Sequence, residues 1–115
     1  MSDLQPKGIP VKLLDEKERH LLFTLACVDE VQDYYDLPVN MVMAKLADER
    51  EGPGTLAVLV QILINDEIKR NGGKDLMTLE QVKWQIDVPS EPYVMRAVMQ
   101  SYGYSLPEQD EEDPN

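Results

Sequence analysis

At 115 residues the chain is one domain in size, large enough to bury a core without metals or disulfides. Its 22 acidic residues against 11 basic ones give a net charge of -11, which argues against binding to phosphate backbones or anionic membranes. A single cysteine, Cys27, leaves no intramolecular disulfide and fits a reducing compartment.

Residues 1–8 are polar, with Pro6 and Gly8, and read as a flexible N-terminus without the apolar run of a signal peptide. Ile9–Leu14 and Arg19–Leu25 are β-prone runs separated by the polar DEKE segment. Alternation sets Val11 with Leu13, and Leu21 with Phe23 and Leu25, which predicts a hairpin. A single helix from about Glu16 to Tyr35 also satisfies the spacing of Leu21, Leu25, Val28 and Tyr35. Next comes a helix over Cys27–Tyr35, broken by Pro38, and a short one over Met41–Ala47 capped by Asn40. Gly52-Pro53-Gly54 reads as a breaker. Thr55 is then expected to cap the main helix, Leu56–Arg70, whose first half is apolar almost all round and therefore central. Gly72-Gly73 ends it. Thr78 and Gln81 have capping-box spacing for a helix to about Ile86. Ser90 is expected to cap a last helix, with Val94, Val98 and Tyr102 on its inner stripe and Gly103 closing it.

The reading is therefore a mainly α protein: an N-terminal β-hairpin followed by about five short helices, forming a single domain over residues 9–106, with Leu56, Leu59, Leu63 and Val98 in the core. Residues 107–115 hold five acids, no base and nothing apolar to bury, and are expected to form a disordered acidic tail. The longest apolar stretches, Leu21–Val28 and Leu56–Ile64, are far short of the ~20 residues that span a bilayer. A cytoplasmic protein is expected.

The chemistry is sparse. One histidine, His20, and one cysteine are too few for a structural zinc site, and no cofactor-binding fingerprint is present. Gly72-Gly73-Lys74 follows a helix rather than opening one, unlike a phosphate loop. Asp48/Glu49/Glu51 and Asp66/Glu67 lack calcium-loop spacing and read as solvated faces. No metal, no cofactor and no catalytic activity are expected. Binding residues are the alternative. Met95 and Met99 lie at i, i+4 beside the Val94/Val98 stripe, as core filler or as an adaptable groove. Trp84 lies off the Val82/Ile86 face, where a partner could meet it. Trp84, Met95 and Met99 are thus the candidate partner-binding residues.

The run VKLLDEKERHLLFTLACVDEVQDYYDLPVNMVMAKL, Val11 to Leu46, resembles the N-terminal half of the small phage tail assembly chaperones. These are made by tailed phages, prophages and gene-transfer agents. LAVLVQILINDEI is similar to their apolar central helix, and LMTLEQVKWQI to their Leu-Thr-x-Glu-Glu-Val helix. The turn Asp15-Glu16-Lys17-Glu18 departs from the often Gly-rich family turn, and Ala26-Cys27 stands where Asn-Ala often opens the first helix. The resemblance implies a non-enzymatic assembly factor, absent from the mature virion, that binds the tape measure protein and recruits tail tube subunits. It leaves self-association open. From the composition alone, an acidic cytosolic adaptor, an export-type chaperone or a nucleic-acid mimic is the alternative.

Overall fold

The computed structural model describes residues 8–105, so the expected acidic tail at 107–115 and nearly all of the expected flexible N-terminus lie outside the described residues. Strands β1 (Ile9–Lys12) and β2 (Glu18–Leu21) pair antiparallel, with Ile9 opposite Leu21 and Val11 opposite Arg19. The hairpin is as expected but shorter, and it removes the reading of one helix through Glu16–Tyr35. Its turn closes on its own charges. The Asp15 carboxylate accepts two bonds from the Arg19 guanidinium, at 2.9 and 2.7 Å, and one from the Lys17 N–H. Glu16 takes a left-handed conformation, φ 64°.

The second strand stops early because Thr24 is a helix cap. Its Oγ1 accepts the Cys27 N–H at 3.2 Å, and α1 (Leu25–Tyr35) starts two residues before the expected position. Left-handed Asp36 ends α1 ahead of Pro38. Helix α2 (Val39–Ala44) follows Pro38 directly, and the expected Asn40 cap is not used. Gln32, reaching from α1, accepts the Val39 N–H at 2.9 Å instead. A 3₁₀ turn (Lys45–Ala47) completes this corner.

Helix α3 (Gly52–Arg70) begins inside the segment expected to break it. Pro53 lies in the first turn, where its missing N–H leaves no bond unmade. Just ahead, the Asp48 carboxylate accepts the N–H groups of Arg50 and Glu51. Gly52 is required by close approach: a Cβ there would lie 2.7 Å from the Leu46 carbonyl oxygen. Thr55 is therefore no cap. It is buried in the helix, its hydroxyl 3.5 Å from that of Tyr35.

The core gathers on α3. Leu56, Leu59, Leu63 and Val98 are all buried, as expected, and α3 packs against β2, α1, α4 and α5. Gly72, φ 82°, ends α3 with Gly73, whose N–H returns to the Ile68 carbonyl at 2.8 Å. The next segment is fastened by two side chains of α3, with Gln61 donating to the Met77 carbonyl at 3.2 Å. Buried Asn65 accepts the Met77 N–H at 2.8 Å and donates to the Met77 carbonyl at 2.9 Å.

That anchor presents Thr78, which forms the expected capping box with Gln81 at the start of α4 (Leu79–Trp84). Helix α4 ends before Ile86 because Gln85 turns to the hairpin. Its backbone carbonyl accepts the Leu14 N–H, and its side-chain Oε1 accepts the Asp15 N–H. A turn closed between Asp87 and Ser90 leads into α5 (Glu91–Ser105). Gly103 lies within α5 and does not close it. Phe23 and Tyr102 meet edge to face at 5.5 Å, holding α5 near the hairpin.

Each rim of the hairpin has a backbone donor already engaged. On β1, Pro10 has no N–H, and the Lys12 N–H donates to the Tyr93 hydroxyl at 3.0 Å. On β2, the His20 N–H donates to Glu67 Oε1 at 2.9 Å. A strand that arrived from outside would find these donors occupied.

Candidate partner-binding surface

Trp84 is 76% exposed on the last turn of α4, its indole N–H donating to Glu80 Oε2 at 3.2 Å. The i, i+4 bond steadies a large apolar ring on the surface. Met99 is 54% exposed on α5, whereas Met95 is half-buried and packs against the core. The three residues do not share a pocket. The methionine pair divides: Met95 is half-buried against the core, whereas Met99, one turn further along α5, faces solvent.

The concave surface lies elsewhere. Pro53, Gly54 and Ala57 in the first turns of α3 face Ile86 and Val88, beyond the end of α4, across a groove of about 390 Å³. Val88 is 81% exposed. Lys83, Asp87 and Glu91 complete the groove. A second hollow, of about 430 Å³, shares Gly54 and Lys83 and extends toward Tyr34, Lys45 and Leu79. Gly54 has open space where a side chain would begin, so it is part of the hollow and not a packing necessity. Sequence reading missed Val88 and Gly54. The available signal was Val88 itself, an apolar residue in a Pro-containing turn with no helical face to join.

A different surface is acidic. Asp29, Glu30, Asp33 and Asp36 are exposed along α1 and its cap, and no Lys or Arg occurs from His20 to Ala44. Leu25, at the start of the same helix, is 86% exposed.

Several titratable groups are engaged within the fold. The Arg19 guanidinium holds the Asp15 carboxyl down to about 2. Burial pushes the Cys27 thiol up, in keeping with a small buried thiol. The Glu51 carboxylate raises Lys45. His20 lies on β2 as expected, with its ring Nδ1 2.9 Å from Glu67 Oε2 and Nε2 3.4 Å from Glu18 Oε2. Asp66 and Glu67 are not the solvated pair expected: Asp66 accepts a bond from Arg70, and Glu67 is engaged with His20. Among the described residues, no group of three or more His, Cys, Asp or Glu side chains is gathered as metal ligands would be. Among them too, no helix is long and apolar enough to cross a membrane.

Compared with known proteins, the chain matches no family model, no curated protein and no solved structure.

Proposed function

We propose that the chain is a non-enzymatic tail assembly chaperone that holds a tape measure protein in the host cytoplasm and brings tail tube subunits to it. The observation that carries the reading is Trp84, a fixed and largely exposed aromatic on a small acidic helical body that also carries a groove with apolar walls. A tape measure is a long helical chain with apolar surface to cover before the tube forms. An apolar patch supplies affinity for such a client, and the net charge of -11 keeps the complex soluble. The order of hairpin and helices is also the order the resemblance implies.

The test is co-expression with the tape measure protein of the same genome. The client should become more soluble and co-purify, and the complex should survive about 0.5 M salt, where exposed charge pairs are largely screened. Capture of no tail protein by the parent chain rejects the reading.

A second reading, an acidic mimic of nucleic acid, is favoured by the row Asp29, Asp33 and Asp36 on α1. It expects substitution of these acids, and not of Trp84, to abolish partner capture.

A further inference from the structure

We infer that the groove between the first turns of α3 and the Ile86–Glu91 segment is the docking site, and that its occupant is an amphipathic helix with basic flanks. This rests on the reading of the chain as a binder of a helical client, and it moves the contact from the methionine pair to a corner built around Gly54, Ile86 and Val88.

Three observations select the occupant. The first is shape: the groove has apolar walls, and exposed Val88 stands on the segment that forms one side. Such a surface takes the apolar stripe of a helix at i, i+3, i+4 and i+7. The second is the hairpin. Pro10 has no N–H, Lys12 donates to Tyr93 and His20 donates to Glu67, so an extended segment meets fewer free donors on either strand. Recognition then falls to side chains in a groove. The third is charge. Asp87 and Glu91 line the groove against Lys83 alone, a surplus of one negative charge. Lys or Arg beside the partner's stripe complements this rim. A second copy of the chain does not, because each copy carries a net charge of -11.

The probes are two synthetic amphipathic helices with the same leucine stripe, one flanked by lysine and one by glutamate. Trp84 is the only tryptophan and is next in sequence to groove-lining Lys83, so its emission is a single-site probe close to the groove. The lysine-flanked helix should shift that emission, and its amide shift map should centre on Ala57, Ile86 and Val88. The glutamate-flanked helix should bind at least about tenfold more weakly. Gly54→Gln projects a side chain into open space, so it should fold normally and weaken binding at least about tenfold. Val88→Asp should do the same. The inference is overturned by a shift map centred on Leu25 and Asp29, by equal binding of the two peptides, or by no binding at all. Sedimentation showing a dimer that Val88→Asp dissociates would make a second copy the occupant and also overturn it. Tape measure capture separates the two levels. Parental capture by Gly54→Gln defeats the groove and leaves the chaperone reading intact. Peptide docking at the groove, with no tail protein captured by the parent, supports the groove and defeats the chaperone reading.

Discussion

Both carboxylate oxygens of Glu67 serve His20: Oε1 accepts its backbone N–H and Oε2 lies 2.9 Å from its ring Nδ1. One side chain near the end of α3 thereby occupies a donor on the rim of β2 and ties the hairpin to the central helix.

Glu67→Ala leaves a partly buried N–H without its acceptor. It should lower stability by about 1–3 kcal/mol. Glu67→Gln keeps one oxygen for that N–H and should lose less. Urea denaturation of both variants checks the order, and equal midpoints for the two would contradict it.

Acid sensitivity should carry a contribution from Asp15. Its carboxyl ordinarily titrates at 3.8 and is lowered to about 2 in the fold, chiefly by the hydrogen bond from Arg19. A depressed value means that the folded state favours the charged form. The stabilisation is therefore complete above the ordinary value and fades as pH falls through the lowered one. Parent and Asp15→Asn should differ in stability at pH 5, and the difference should shrink as pH falls below 3.8 and vanish only below about 2. Melting curves at stepped pH measure it.

Two glycines in one helical turn should respond in opposite directions. Gly54→Ala meets no neighbour and should raise stability by roughly 0.4–1 kcal/mol through the unfolded chain. Gly52→Ala drives a methyl against the Leu46 carbonyl oxygen and should lower it by about 1–3 kcal/mol. Thermal melting of each variant decides.

The methionines should separate likewise. Met95→Ser removes a side chain that packs on the core and should lower the melting temperature. Met99→Ser alters an exposed residue and should leave stability within about 0.5 kcal/mol.

The hairpin, the buried central helix and the Thr78 capping box were legible because each signal is local: alternation, an apolar run, a hydroxyl three residues before glutamine. Misread boundaries arose where one local signal has two uses. Gly52-Pro53-Gly54 can break a helix or open one, and the Asp48 carboxylate just ahead accompanies the second use. The alternation of Phe23 and Leu25 continued the strand on paper, but Thr24 between them caps α1. Trp84 was legible as an exposed residue because its period disagrees with that of Val82. The groove was not, since Gly54 and Val88 meet only through the packing of α3 against the end of α4.

The paired hydrogen bonds between Asn65 and the Met77 peptide divide the segment after α3 into two kinetic regimes. Lys74 and Asp75 are exposed, and their amides should exchange with deuterium as those of a surface turn do. Met77 lies outside any helix, yet its N–H is released only if a buried side chain of α3 lets go. Its protection should therefore follow the global unfolding of α3. A protease that nicks the chain near Lys74 would then leave two pieces still fastened to one another, with α4 and α5 in place.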